Sequence, residues 1–300
     1  MSGRVLVNVG CGRVWHRDWL NLDHRPTAPE IQAFDLRKPL PFADGTVDAV
    51  YASHVLEHLD LAEGRRLLSE CRRILKPGGI VRIVVPDFED LCRFYLQRLA
   101  SVAERPNADN ELAYDWAYLQ LLDQHVRRRG GGELMAYLDR PGLLTNPALD
   151  KRLSREIQIL VQERTAHRPA DGQATRAGAG FGLRRVRTSI RKSVMSAVRK
   201  MLPNSVMEGL ETALFLRTGE VHRVGYDRFS LPRLLRQVGF DEVAVVGASQ
   251  SRIPGFNAAE LDCVDGVPRK PGSLFVEAVR KSHDNVAKMP PQRTIEEAAA

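Results

Sequence analysis

Val5-Leu6-Val7-Asn8-Val9-Gly10-Cys11-Gly12 decides how this chain is read. A short β-branched run stops at two glycines one residue apart, the pattern of a buried strand ending in a tight turn. Working outward, Trp19-Leu20-Asn21-Leu22-Asp23 reads as a second strand that ends in an acid. Phe34-Asp35-Leu36 and a proline-marked connection over 39–45 follow, then a clear strand at Val47–Ala52. Ser53–Leu59 starts a helix or the loop before one. Leu61–Leu75 places Leu61, Leu67, Leu68, Cys71, Ile74 and Leu75 at helical spacing, and Lys76-Pro77-Gly78-Gly79 stops that helix. Ile80–Val85 is a further strand, closed by Pro86-Asp87. Strands alternating with helical stretches predict an α/β fold with a mostly parallel sheet.

From about Asp90 to Leu216 the strand signals vanish and helical patterns dominate. Helix candidates are Glu89–Ala103, Asn110–Arg128 and Ala148–Arg164, and a Gly/Ala-rich polar stretch over 169–180 reads as a linker. Leu231–Val238 is a short helix ended by Gly239, followed by strands at Val243–Val246 and Ser273–Val279. A structureless excursion this long is implausible inside a compact domain. The expected division is therefore 1–90 and 218–281 as two parts of one domain, 91–217 as a helical insertion or lid, and 282–300 as a flexible tail.

The chain has 300 residues, 43% of them hydrophobic, enough for a full core, so wholesale disorder is excluded. Its net charge of +7 is local. Residues 164–200 hold ten basic side chains against Asp171 alone, a window at +9, which leaves the rest of the chain at −2. Within 176–201, Leu183, Val186, Ile190, Val194, Ala197, Val198 and Met201 fall on one helical face, with Arg184, Arg185, Lys192, Arg199 and Lys200 elsewhere. Such a helix suits an anionic membrane surface, packing on its own domain, or a solvated face. Nucleic acid is disfavoured, because the arginines lack interleaved aromatics or a recognised motif. Cys11, Cys71, Cys92 and Cys263 form no C-x-x-C pair, which suggests a reducing compartment. No apolar run approaches the roughly 20 residues of a membrane span, and the N-terminus does not read as a secretory leader. The expected location is the cytoplasm, with peripheral attachment at the inner face of the membrane through 176–201 as an option.

Gly10 and Gly12 let a ligand approach the backbone at the carboxyl end of the first strand, where ligands sit in such sheets. The dinucleotide fingerprint requires a third glycine where Trp15 stands. The acid Asp23 arrives only 11 residues after Gly12, which leaves little room for a pyrophosphate-capping helix. The site suits a ribose with a short charged arm. Asp23 is placed to accept both ribose hydroxyls, and Asp35-Leu36 to meet an adenine through carboxylate and apolar contact.

These segments resemble class I S-adenosylmethionine-dependent methyltransferases, especially a type 11-like bacterial branch associated with polysaccharide genes. Asn8–Gly12, Trp19–Asp23, Asp35-Leu36 with Leu40-Pro41-Phe42, Val47–Leu59, Arg73–Gly79 and Val84–Asp87 carry the likeness. His222–Asp227 through Leu234–Phe240 carries a second patch. The resemblance implies a Rossmann-like sheet, mostly parallel with an antiparallel last strand, plus the helical insertion. It implies that Gly10, Cys11 and Gly12 line the methionine portion of S-adenosylmethionine, that Asp23 binds the ribose and Asp35 the adenine amine, and that Ser53 and His54 lie near the cofactor. Where the family carries an acid and a third glycine, this chain has Asn8 and Val14. The Asn8 carbonyl can still accept from an ammonium.

The catalytic candidates are His54, just past a strand end, and His222 with Asp227, ahead of the last helix. A hydroxyl acceptor benefits from such a base. Glu57 and His58 follow His54 by one turn, with structural and site roles both open. No Asn-Pro-Pro-Tyr-like motif follows the fourth strand, which argues against amino methylation of nucleobases, and no ligand cluster suggests a metal. The leading expectation is O-methylation of a saccharide or lipid-linked glycan. The alternatives are a small-molecule or RNA methyltransferase and a non-catalytic S-adenosylmethionine-binding or membrane-scaffolding protein.

Overall fold

The computed structural model describes residues 3–149, 152–153, 157–158, 161–162 and 203–281. Five strands come first: β1 (Leu6–Val9), β2 (Leu20–Asp23), β3 (Ile31–Ala33), β4 (Val47–Ser53) and β5 (Leu75–Pro86), with α1 (Leu61–Ile74) between the last two. Helices α2 (Phe88–Glu104), α3 (Ala108–Val126), α4 (Gly132–Tyr137), α5 (Asn204–Leu216) and α6 (Ser230–Val238) follow. The chain then returns through β6 (Asp241–Val246), a small hairpin of β7 (Cys263–Val264) and β8 (Val267–Pro268), and β9 (Ser273–Val279).

Seven strands form one sheet in the order β3-β2-β1-β4-β5-β9-β6. β3 to β5 are mutually parallel, and β9 runs antiparallel to both β5 and β6. This is the expected Rossmann-like α/β sheet with a reversed last strand. The switch in strand order puts β1 beside β4, with Val7 opposite Val50 and Val9 opposite Ala52. Ligands in open α/β sheets bind outside the carboxyl ends of the strands at that switch.

One face carries helices α1 and α6, whose Leu67, Leu68, Ile74, Leu231 and Leu235 close over Val7, Val9, Val50, Val81 and Val276. The other face has no α-helical cover among the described residues, only a short 3-10 turn over Phe256–Ala259. It is closed by Trp19, Ile253, Phe256 and Leu261, packed on Ala49, Tyr51, Val84 and Phe275. Strands β1 and β2 are joined over Gly10–Trp19 without a helix, an unusually short parallel crossover. Buried amides hold it. Asn8 Nδ2 donates to the Val14 carbonyl and Asn21 Oδ1, both at 3.1 Å, while Asn21 Nδ2 donates to the carbonyls of His16 and Trp19 at 3.0 and 2.7 Å. The loop carbonyls that a helix would have satisfied are met by side chains instead.

Two sequence expectations are corrected here. Helix α1 ends at Ile74, and Leu75–Gly79 is already strand, because Leu75 pairs with Val47 and Gly78 N donates to the Arg280 carbonyl at 2.6 Å. In the stretch expected to be a helix from Ala148, residues 148–149 and 152–153 lie in turns, and only 157–158 and 161–162 are described as helical. The basic segment 176–201 and the tail from 282 lie outside the described residues.

Helices α2 to α4 gather their own core around Phe94, Trp116, Ala117, Leu138 and Leu143. Asp87 starts α2 by accepting from the amides of Glu89 and Asp90. The insertion is tied back by Phe88 N to the Tyr226 carbonyl (2.9 Å) and His222 N to the Gln124 carbonyl (2.9 Å).

Candidate cofactor and acceptor site

Strand β1 ends in a turn that folds back on β2: the amides of Gly10 and Cys11 both donate to the Leu22 carbonyl, at 2.7 and 3.1 Å. Gly10 and Gly12 have φ of +68° and +57°, a region L-residues adopt at a cost. A Cβ on Gly10 would stand 2.4 Å from Val55 Cγ2, whereas one on Gly12 would meet nothing within 4 Å. The first glycine is therefore needed for packing, and the second leaves open backbone. Asp23 accepts Gly12 N on Oδ2 and Arg25 N on Oδ1, both at 2.8 Å, so the acid and the turn fix each other. Burial, with Asp23 nearby, pushes the Cys11 thiol up to about 12.

Two cavities open at this turn, of about 440 and 360 Å³, and they share Gly10, Asp23 and His54. The first is lined by Asn8, Cys11, Gly12 and Ser53 from the sequence candidates, and by Asp262, Arg269, Lys270 and Ser273 from the returning chain. The second holds Asp35 and Leu36, with Arg37, Val55 and His58 beside them and Leu216–Gly219 across. Asp35 is gripped by Arg37 in a two-armed ion pair at 2.9 and 3.1 Å, whose hydrogen bonds hold its carboxyl below the usual range. Asn8 is buried, and its Oδ1 has no hydrogen-bond partner among the described residues.

His54 sits where the two cavities meet, at φ +54°, a left-handed conformation uncommon outside glycine. Its backbone amide donates to the Val84 carbonyl at 2.8 Å, and its Nε2 lies 3.0 Å from Ser273 Oγ. Ser273 Oγ itself donates to the Lys270 carbonyl at 2.9 Å. With that proton committed, Nε2 must carry the hydrogen toward Ser273, and the Nδ1 lone pair faces Glu57 Oε1 at 3.2 Å. Burial lowers the His54 pKa well below its ordinary value and raises that of Glu57.

The other two catalytic candidates are not brought to the cavity walls. His222 is buried behind His54, lines neither cavity, and meets the rings of His58 and His125 edge-on at 4.8 and 5.7 Å. Burial pushes its pKa down to about 2. Asp227 lines neither cavity and caps α6, accepting from Phe229 N and Ser230 N on Oδ1 at 2.9 and 2.7 Å.

Several site residues were not anticipated from sequence. Arg269, Lys270, Ser273 and Asp262 reach the first cavity because Arg82 holds their segment down. Arg82 is fully buried on β5 and bonds Asp262 Oδ2 (2.6 Å) and Glu277 Oε1 (2.9 Å), while Tyr51 Oη donates to Asp262 Oδ1 (2.5 Å). The available signal was an arginine inside the apolar run Ile80–Val85. Glu57, His58 and His222 also come together, with one ligand atom from each within 4.8 Å of the others.

Residues 7–83 match a family model described as a methyltransferase domain. Over 85 residues, 26% of this chain, the sequence is 39% identical to a demethylmenaquinone methyltransferase of Beutenbergia cavernae, covering 34% of that protein. Over 104 residues, 29% of this chain, it is 32% identical to a probable S-adenosylmethionine-dependent methyltransferase of Mycolicibacterium smegmatis, covering 39% of it. The chain thus spans little more than a third of the length of these two curated relatives. Among solved structures, an S-adenosylmethionine-dependent methyltransferase from Archaeoglobus fulgidus aligns over 93% of this chain and 86% of its own, at 11% identity and a TM-score of 0.36.

Proposed function

We propose, for a chain that carries a class I S-adenosylmethionine-dependent methyltransferase domain, that it methylates an acceptor hydroxyl on a saccharide or lipid-linked glycan. The observation that carries the reading is the pair of cavities joined at Asp23 beside an open glycine turn. The residues present fit the cofactor. Asn8 Oδ1 is an orphaned buried acceptor suited to an ammonium, since a buried polar atom left unpaired is costly. Asp23 keeps lone pairs free for a ribose diol after serving two amides. Asp35 and Leu36 offer an acceptor and an apolar edge to an adenine, and Gly12 leaves its backbone open.

When bound, S-adenosylmethionine supplies an electrophilic methyl group whose bond to sulfur breaks as the bond to the acceptor oxygen forms. The chain's own part is alignment and exclusion of water. Ser273 holds the His54 ring at the junction of the cavities, where it orients the acceptor. Arg269, Lys270, Asp262 and Ser273 give the first cavity a charged, hydrogen-bonding wall, which suits a hydroxyl-rich acceptor better than a flat apolar one. In this reading residues 1–90 and 218–281 make the cofactor domain. Residues 91–217 make the insertion whose end, Leu216–Arg217, walls the second cavity together with Thr218 and Gly219.

Calorimetry with S-adenosylmethionine and S-adenosylhomocysteine tests the cofactor part, and saturable binding of both is expected. No heat at millimolar ligand with folded protein overturns it. Transfer of labelled methyl to a lipid-linked saccharide, but not to a small phenol or RNA, is the outcome expected for the acceptor; the reverse pattern overturns that part alone.

The reading also includes docking of 176–201 on an anionic membrane, supported by the +9 window and its apolar stripe. Vesicles containing phosphatidylglycerol should sediment the wild type in low salt and not the Arg184/Arg185/Arg191/Lys192→Ala variant. Equal sedimentation of the two rejects docking.

A further inference from the structure

We propose that Glu57, His58 and His222 hold a divalent transition-metal ion of the zinc class, with His54 Nδ1 at its margin, behind the junction of the two cavities. The site is assembled by the fold. Glu57 and His58 lie in the short 3-10 turn Leu56–His58 that follows β4, and His222 comes from the extended segment before α6. Backbone bonds lock the two together: Arg223 N and Val224 N both donate to the Glu57 carbonyl, at 2.6 and 3.3 Å, while His222 N is held by the Gln124 carbonyl at 2.9 Å.

Three observations point to a cation. First, one ligand atom from each of Glu57, His58 and His222 lies within 4.8 Å of the other two. Second, Glu57 is 1% exposed, and neither of its carboxylate oxygens has a hydrogen-bond donor among the described residues. His58 Nδ1 and the Tyr226 hydroxyl beside this cluster are buried without partners as well. A buried carboxylate facing other unsatisfied polar atoms is costly unless something positive joins them. Third, the hydrogen-bond chain through Ser273 turns the His54 Nδ1 lone pair onto Glu57 Oε1 at 3.2 Å. Two acceptors that close require either a proton or a cation between them. The separation also matches neighbouring ligands of one metal whose bonds are each about 2.0–2.2 Å.

Two imidazoles and one carboxylate select a borderline ion such as Zn²⁺ or Co²⁺ over Mg²⁺ or Ca²⁺, which take oxygen ligands. The site is not closed. His58 lines the second cavity together with Asp23 and Asp35, which leaves a coordination position toward ligand space, as in zinc sites that act on substrates. If the methyl-transfer reading holds, that position faces the acceptor oxygen and favours its deprotonated form. The ion site itself does not depend on that reading.

The test uses the full-length, tag-free chain, stripped with chelator and dialysed against Zn²⁺ or Co²⁺. The expected result is one ion per chain, with Co²⁺ giving a visible ligand-field band. Glu57→Gln and His222→Ala should each weaken binding by more than the roughly 10–100-fold that loss of an outer supporting hydrogen bond costs. His16→Ala, on the surface loop, should bind as wild type. S-adenosylhomocysteine calorimetry on the same variants separates the two readings, because a folded variant that has lost the ion should keep its nucleoside binding. Should a variant fail to fold, zinc-edge absorption on the wild type decides instead, with two imidazole ligands and oxygen expected. A wild type that retains no Zn²⁺ or Co²⁺ overturns the proposal and leaves a proton between Glu57 and His54. Equal retention by wild type and both variants, or zinc without imidazole ligands, overturns it equally.

Discussion

Asp23→Ala is expected to weaken S-adenosylhomocysteine binding at least 100-fold by calorimetry. A carboxylate offers about four lone-pair sites, and the structure uses two of them, for Gly12 N and Arg25 N. The remaining two face the cavities that Asp23 joins. Two hydrogen bonds from ribose hydroxyls to a charged acceptor, at about 1.5–3 kcal/mol each, amount to about 3–6 kcal/mol. At roughly 1.4 kcal/mol per decade this is 10²–10⁴ in affinity. The alanine also frees the Gly12 amide, so the turn loses its anchor at the same time. Asp23→Asn keeps the side-chain volume but turns a donor pair toward one of the two backbone amides, and an intermediate loss is expected. Binding by Asp23→Ala within threefold of wild type, in protein with an unchanged melting temperature, would remove Asp23 from the cofactor site.

The second large effect is on stability. Arg82→Met is expected to destabilise the fold by about 3–5 kcal/mol, the range for breaking a buried ion pair from one side. For a protein of this size that corresponds to a fall of roughly 10 °C in Tm. Arg82 is fully buried and donates to Asp262, to Glu277 and to the carbonyls of Gly247, Ala248 and Gln250. Its guanidinium also stacks on Phe256 and Phe275, 4.8 and 5.3 Å from their centroids. Removing it leaves the buried Asp262 without a counter-charge and Glu277 with only Arg252, whose Nε lies 3.4 Å from Oε2. Combining Arg82→Met with Asp262→Asn and Glu277→Gln removes both carboxylate charges, and recovery of more than half of the lost stability is expected. Thermal and urea unfolding measure both effects. A single Arg82→Met variant melting within 2 °C of wild type would show that the network is not what holds the segment 247–273 on the sheet.

These two residues differ in how far sequence could find them. Asp23 was legible because it ends a strand a short step after a glycine turn, and a local pattern sufficed. The role of Arg82 depends on Asp262 and Glu277, which sit about 180 and 195 positions away, and no local spacing announces such a partnership. The same contrast separates the catalytic candidates. His54, expected at the site from its place past a strand end, lines both cavities. His222 and Asp227, read together as an oriented base, line neither cavity, since both depend on how the segment before α6 turns. Asp227 spends its carboxylate on α6, and His222 points into the histidine cluster.

The sequence alone determined the α/β class, the split of the sheet around a helical excursion, the glycine turn with its two downstream acids, and the location of the charge. Each is written in periodicities of two or 3.6, in glycine and proline, or in composition, all of which act over a few residues. Only the tertiary structure decided that a mostly irregular segment, rather than α-helices, covers one face of the sheet. It alone brought Arg269, Lys270 and Ser273 to the cavity. It alone closed Glu57, His58 and His222 around a buried, unsatisfied carboxylate. These outcomes rest on pairing between distant segments and on where buried polar groups find partners, and such contacts leave no signature until the chain has folded.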